Sequence, residues 1–80
     1  MDSLENYNLN IIKKNRYKLN LTQKQVAIKC NVKQSYISEI ETNSRKPSAN
    51  MIIKLSDILD ISPIVIFQEF YCDKRYDKMD

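Results

Sequence analysis

The sequence predicts an all-α domain of five helices, and three observations support this. Apolar residues recur at three- and four-residue spacing along most of the chain, and no segment shows strand alternation. Residues typical of helix N-caps precede several of these periodic segments. Hydrophobic residues make up 42% of the 80 residues, which is enough for one compact helical bundle. We therefore expect a single domain over residues 9–70.

The first helix is predicted from Leu9 to about Leu19. Three- and four-residue spacing puts Ile12, Arg16 and Leu19 on one face of it. Arg16 on an otherwise inward face requires a partner, because a buried guanidinium must be paired. Residues 1–8 are expected to form a flexible N-terminus.

Residues 22–41 predict two short helices, Thr22 to Cys30 and Gln34 to about Glu41, joined by a very tight turn. Thr22 is a candidate N-cap, with Gln25 at the capping-box spacing. The turn needs a residue with positive φ, and Asn31 is the natural choice in a chain without glycine. Helical spacing gives the pair a shared apolar face of Val26, Ala27, Cys30, Ile37 and Ile40.

A polar loop ending at Pro47 separates this hairpin from two more helices. Ser48 is expected to cap the fourth, whose apolar stripe consists of Met51, Ile52, Leu55, Ile58 and Leu59. Ser62-Pro63 is a cap followed by proline at the first helical position, so a fifth helix should run to about Phe70. Residues 71–80 mix charges without periodicity and are expected to form a charged tail.

The positive charge of the chain is concentrated around the hairpin. The net charge is +3, but residues 13–46 contain nine Lys or Arg and two Glu, a net +7. Residues 1–12 and 47–80 each carry a net charge of −2. Such a distribution is typical of a surface that meets phosphate.

The hairpin resembles the helix-turn-helix of the Cro/phage-repressor (XRE-like) regulators. The matching residues are Gln23, Val26, Ala27, Cys30, Asn31, Val32, Ile37 and Ile40. The resemblance continues through Glu41 and the following loop as far as Phe67. Asn31 replaces the usual glycine, and Lys33 replaces the usual Ser or Thr cap. The resemblance implies a lambda-repressor-like domain, with the helix-turn-helix at helices 2 and 3 and an ion pair between Arg16 and Glu41.

The same resemblance implies a transcriptional regulator that binds double-stranded DNA. The third helix would read a palindromic operator through the major groove. The expected base-contacting residues are Gln34, Ser35, Tyr36, Ser38 and Glu39. The expected phosphate-contacting residues are Gln23, Lys33, Asn43, Ser44, Arg45 and Lys46.

The start of the fifth helix is more apolar than the family pattern. If Ile66 and Phe67 fill the core, Ile64 and Val65 cannot also point inward, because one helix face is only about 100° wide. The sequence therefore predicts a homodimer through an exposed strip of Ile64, Val65, Phe70 and Tyr71. The alternative is that the tail covers this strip within one chain.

Composition argues against catalysis and against a cofactor. The chain has no histidine to act as a base near neutral pH, and no glycine from which to build a phosphate-binding loop. Cys30 and Cys72 form no CxxC motif and have no histidine partners, so a metal site is not expected. No small-molecule ligand is expected either, because the sequence shows no effector domain. No apolar run is long enough to cross a membrane. We therefore expect a non-enzymatic cytoplasmic protein.

Alternatives within the same fold remain open at this point. An antitoxin would keep the DNA-binding face but have a toxin as its main partner. A restriction-modification controller protein is another possibility, because the segment Tyr36-Ile37-Ser38 resembles such proteins. Repression is expected rather than activation, although the residues do not decide between them. The neighbouring genes would discriminate among these readings.

Overall fold

The computed structural model describes residues 9–72, which fold into five helices. In chain order they are α1 (Ile11–Lys18), α2 (Gln23–Cys30), α3 (Gln34–Glu41), α4 (Ala49–Leu59) and α5 (Pro63–Tyr71). All regular secondary structure in this part of the chain is helical, which confirms the predicted fold class. The expectations for residues 1–8 and 73–80 lie outside the described residues. None of the five helices has the length and apolar character needed to cross a membrane.

Side-chain caps explain where most of the helices begin. Asn10, Thr22 and Ser48 each accept a hydrogen bond from the backbone N–H three residues further on. The Gln25 side chain also accepts from the Thr22 backbone N–H at 2.8 Å, which completes the predicted capping box. α5 begins with Pro63, whose missing N–H would have no partner inside the helix. Ser62 precedes it as predicted, but its side chain makes no cap hydrogen bond.

Four residues with positive φ allow the chain to turn sharply between helices. They are Asn20, Asn31, Asn43 and Asp60, with φ between 57° and 64°. Each follows the end of a helix, where a left-handed residue lets the backbone leave the helix axis. The chain has no glycine for this purpose, and Asn and Asp tolerate the region better than other residues with a side chain.

The core lies between the hairpin and the two later helices. α2 packs against α3 and α4, while α1 contacts α3, α4 and α5. The buried apolar side chains are Ile12, Val26, Ala27, Cys30, Ile37, Ile40, Met51, Ile52, Leu55, Leu59, Ile66 and Phe70. Burial raises the pKa of the Cys30 thiol, which keeps this side chain a neutral packing group. Because Ile37 and Ile40 belong to this core, α3 packs through its apolar face and exposes its opposite face.

Two sequence-based expectations about the core are wrong. Leu19 is exposed, because α1 ends at Lys18 and Leu19 is already its C-cap. In α5, Phe67 is 48% exposed and Phe70 is only 9% exposed, the reverse of the expectation. Ile66 and Phe70 are four residues apart and share one face, whereas Phe67 lies about 100° around the helix from Ile66.

The left-handed conformation of Asn31 leads to a stability prediction. Replacing Asn31 by alanine should lower the free energy of unfolding by about 1 kcal/mol. Both residues have a Cβ that crowds the following carbonyl at positive φ, but only the short polar side chain of asparagine can offset this by hydrogen-bonding locally. Asn31→Gly is the matched control. Glycine adopts positive φ without steric cost, so this variant should be more stable than Asn31→Ala by a similar margin. Urea titration of the three proteins measures this. Equal stability of the alanine and glycine variants would contradict the requirement for positive φ.

Candidate nucleic-acid interface

The outward side of α3 carries the residues predicted to contact bases. Gln34 and Ser35, in the first turn, are exposed. Tyr36, Ser38 and Glu39 are partly exposed. The inward side is formed by the buried residues Ile37, Ile40 and Glu41. α3 thus presents a polar surface over its whole length.

A buried ion pair holds the end of α3 against α1. The Arg16 Nε lies 2.6 Å from Glu41 Oε2, and Arg16 Nη2 donates to Glu41 Oε1 at 3.0 Å. Arg16 Nη1 donates to the Leu21 carbonyl at 2.9 Å. The two charged side chains are only 7% and 1% exposed. The hydrogen bond to Glu41 raises the pKa of Arg16 despite the opposing effect of burial.

Glu41 also orients Gln23, the residue predicted to contact phosphate from the start of α2. The Gln23 Nε2 donates to Glu41 Oε1 at 3.0 Å. Because an ionised carboxylate only accepts hydrogen bonds, the other end of the Gln23 amide must present its oxygen. That oxygen accepts from Gln34 Nε2 at 3.4 Å. Three side chains therefore form a directional hydrogen-bond relay from the ion pair to the first residue of α3.

The relay determines which hydrogen-bonding groups of the Gln34 amide remain available. One of its two amide N–H groups is directed at Gln23, so the second N–H and the Gln34 carbonyl oxygen remain for a ligand. A donor beside an acceptor is the pattern that pairs with the major-groove edge of adenine. An open depression of about 670 Å³ adjoins this relay, where Arg16, Gln23 and Gln34 are among the lining residues.

The loop after α3 folds back onto the same surface. Arg45 Nε lies 2.6 Å from Glu39 Oε1, and the Arg45 guanidinium lies over the Tyr36 ring at 5.6 Å. The hydrogen bond to Glu39 raises the pKa of Arg45. The structure thus brings together two predicted base-contacting residues and one predicted phosphate-contacting residue. Sequence reasoning missed this cluster, because nothing in the spacing of residues 39 and 45 indicates how the loop folds.

Asn10 joins the start of α1 to this loop. Its Nδ2 donates to the Ile40 carbonyl at 2.8 Å and to Asn43 Oδ1 at 3.2 Å, and Asn10 itself is buried. Sequence reasoning missed Asn10, although an Asn immediately before a periodic apolar segment is a recognisable N-cap signal. The remaining predicted phosphate contacts, Lys33, Ser44 and Lys46, are all exposed. Lys33 precedes α3 without a side-chain cap bond.

α5 is connected to the far end of the loop. The Tyr71 hydroxyl donates to the Pro47 carbonyl at 2.7 Å, and the Lys46 ammonium lies 5.3 Å from the centre of the Tyr71 ring. The Tyr71 ring stacks on Phe67 with a centroid separation of 5.2 Å. One surface of the molecule therefore runs from the loop to α5 without interruption.

α5 exposes an apolar strip that differs in one residue from the predicted dimer surface. Its members are Ile64, Val65, Phe67 and Tyr71, with Ile64 66% exposed. Phe70 is not part of the strip, because it packs in the core instead of Phe67. Beside the strip is an open apolar groove of about 280 Å³ lined by Ala49, Ile52, Ile53, Pro63, Ile64 and Phe67.

Comparisons with known proteins give two findings. A sequence model of a helix-turn-helix family, HTH_3, matches residues 12–66. Among solved structures, the chain is similar to SinR in a complex of the SinR protein and the SinI protein. The TM-score is 0.66 at 31% identity, covering 85% of this chain and 69% of that chain. No curated protein sequence matches the chain.

The buried ion pair leads to a prediction about stability. Removing either charge alone, in Arg16→Met or Glu41→Leu, should lower the free energy of unfolding by about 3–5 kcal/mol, because the remaining charge is buried without its partner. The double variant should lose clearly less than the sum of the single variants, since both charges are then gone. Urea or thermal unfolding of the four proteins measures the coupling. Additive losses would contradict it.

Proposed function

Because the chain belongs to the HTH_3 helix-turn-helix family of XRE-like DNA-binding transcription regulators, we propose that it represses transcription by binding a palindromic operator as a symmetric dimer. α3 enters the major groove, with its first turn nearest the base edges. The single observation that carries this proposal is the exposed Gln34 amide, aligned through Gln23 by the buried ion pair. An aligned amide can discriminate adenine from the other bases by two hydrogen bonds.

The charge distribution supports binding to the DNA backbone. The only acidic residues between positions 13 and 46 are Glu39 and Glu41, and each is paired with an arginine. The other basic residues of this segment are Lys13, Lys14, Lys18, Lys24, Lys29, Lys33 and Lys46. No unpaired carboxylate of this segment therefore opposes the attraction between these lysines and phosphates.

The dimer rests on the apolar strip of α5. Fully burying a large apolar side chain stabilises a protein by about 1.5–3 kcal/mol. Ile64, Phe67 and Tyr71 share one face of α5 by three- and four-residue spacing and are 43–66% exposed, while Val65 lies about 100° around the helix from Ile64. A second copy covers the strip if the two α5 helices pack about a twofold axis, which makes the interface self-complementary. The same axis relates two α3 helices, and a spacing of about 34 Å between them matches one turn of duplex DNA.

Repression is the simpler use of such a dimer. A protein bound over a promoter excludes polymerase by occupying the same DNA, and it needs no further surface to do so. Activation requires a favourable contact with polymerase in addition to DNA binding. Transcription in vitro from a promoter that contains the selected site distinguishes them: reduced transcript supports repression, and increased transcript contradicts it.

A second candidate function is regulation through a protein partner that covers the α5 strip. SinR is in a complex with the SinI protein, which makes a protein-binding role worth testing in this chain as well. The groove beside Ile64 is apolar and fits side chains from a partner helix. An antitoxin would use such a surface for a toxin. Restriction-modification genes beside this one would instead favour a controller protein.

The proposed DNA binding predicts a specific site and a strong dependence on salt. If the dimer neutralises about six to eight phosphates, the logarithm of the affinity should fall against the logarithm of salt concentration with a slope of roughly −5 to −7. Selection from random duplexes should yield a palindrome. A flat salt response with no selected sequence would refute the proposal.

Substitutions on α3 and at its start should separate base contacts from phosphate contacts. Gln34→Ala should relax the preference at one position of each half-site by about 1–3 kcal/mol. Lys33→Ala should weaken binding to all DNA sequences alike and should reduce the dependence of the affinity on salt. Lys33→Ala tests a phosphate contact more cleanly than Lys46→Ala would, because Lys46 also packs over the Tyr71 ring. Binding titrations against the selected site and its single-base variants measure both effects.

The dimer proposal predicts that a charge on the α5 strip abolishes self-association. Ile64→Asp should sediment as a monomer, because dimerisation would bury its carboxylate in an apolar interface. Ile28→Asp is the matched control: Ile28 is 68% exposed on α2, and its variant should remain dimeric. A parent protein that stays monomeric at tens of micromolar would contradict the dimer, whatever the variants do.

A further inference from the structure

We propose that Arg45 reads a guanine in each half-site, and that Glu39 is a positioning residue that holds Arg45 for this contact. The inference rests on the proposed DNA binding and concerns the far end of α3, beyond the region aligned by Gln34. It changes the expected roles of both residues. Arg45 contacts a base instead of a phosphate, and Glu39 acts through Arg45 instead of contacting a base itself.

Arg45 is attached to Glu39 in a way that leaves its reading edge available. The Glu39 carboxylate contacts the Arg45 Nε at 2.6 Å, which is the side of the guanidinium nearest its own backbone. The two terminal nitrogens, Nη1 and Nη2, therefore remain at the outer end. The Arg45 guanidinium also lies over the Tyr36 ring, 5.6 Å from the ring centre. Arg45 is thus restrained by Glu39 and Tyr36, while its side chain stays 56% exposed.

The backbone that carries Arg45 is also restrained, which distinguishes this pair from an ordinary surface ion pair. The Glu39 carbonyl accepts from the Ser44 N–H at 2.9 Å and from the Thr42 hydroxyl at 3.2 Å. Pro47, two residues after Arg45, is fully buried. Exposed ion pairs usually contribute little, because two mobile side chains must be ordered. Here the hydrogen bonds of the loop to the Glu39 carbonyl already hold the backbones of Glu39 and Arg45 close together, so pairing of their side chains costs less conformational entropy.

The location of the pair favours the groove over the DNA backbone. Glu39 lies one helical turn after Ser35, so the two residues share a face of α3. That face is the exposed one in the first turn, where the base contacts are proposed. By pairing with Glu39, Arg45 is drawn from the loop onto this face. A side chain that served only phosphates would be expected at the flank of the helix.

Charge and geometry then specify the base. An unpaired carboxylate on the groove face would be repelled by phosphates on both sides, and pairing with Arg45 removes that repulsion. Two parallel N–H donors match the O6 and N7 acceptors of guanine, the commonest specific contact of arginine. Adenine offers a donor where guanine offers O6, so the same edge of Arg45 disfavours it.

The experiment compares base preferences of the parent, Arg45→Ala, Glu39→Ala and the double variant on the selected site. Each single variant should lose the preference for guanine at the same position, by roughly 10- to 100-fold. The double variant should lose no more than Arg45→Ala, because Glu39 acts through Arg45. Arg45→Lys should resemble Arg45→Ala at this position, since an ammonium lacks the planar fork. Lys33→Ala is the matched control and should keep the guanine preference.

A guanine analogue gives a second readout that does not depend on the variants folding alike. Replacing N7 by carbon at that guanine should weaken DNA binding by the parent about 3- to 10-fold and should leave DNA binding by Arg45→Ala unchanged. The opposite result is that Arg45→Ala binds all DNA sequences equally less tightly, with the salt slope reduced by about 1. That result would assign Arg45 to a phosphate and overturn the inference. A preference lost only in Glu39→Ala would also overturn it. If the parent selects no sequence at all, the proposed function itself fails.

Discussion

The arrangement of the proposed DNA-binding surface depends on the buried pair between Arg16 and Glu41. An isolated charge in this position would be strongly unfavourable, but here all the groups around it are complementary. The guanidinium contacts both carboxylate oxygens and the Leu21 carbonyl, and the carboxylate also accepts from Gln23. Because α1, the α1–α2 link, α2 and α3 each contribute one group, the pair fixes their relative positions.

Both ends of α3 are anchored, although by different means. Gln23 and Gln34 connect its first turn to the ion pair, so the direction of the hydrogen bonds is set by a carboxylate that can only accept. At the other end, Asn10 binds the Ile40 carbonyl and the loop residue Asn43. A recognition surface held in this way needs little reordering when it meets DNA, which reduces the entropic cost of binding.

Tyr71 joins the apolar strip on α5 to the loop that is proposed to contact DNA. Its hydroxyl binds the Pro47 carbonyl, while its ring contacts both Phe67 and Lys46. The strip therefore lies next to the proposed DNA contacts even though it is on a different helix. This proximity gives a physical reason why a second copy or another protein on α5 would affect the loop that we propose contacts DNA.

The sequence by itself determined the five helices, the caps at Thr22 and Ser48 and the turn at Asn31, because these depend on residues close together in the chain. The Arg16–Glu41 pair was available only through the family resemblance, which supplied the long-range partner. Only the tertiary structure decided that Phe70 fills the core while Phe67 stays exposed, since adjacent faces of an apolar helix are equivalent until a neighbour packs on one. It also decided the contacts of Asn10 and the pairing of Glu39 with Arg45. Periodicity describes one helix at a time, whereas these contacts arise where separate segments meet.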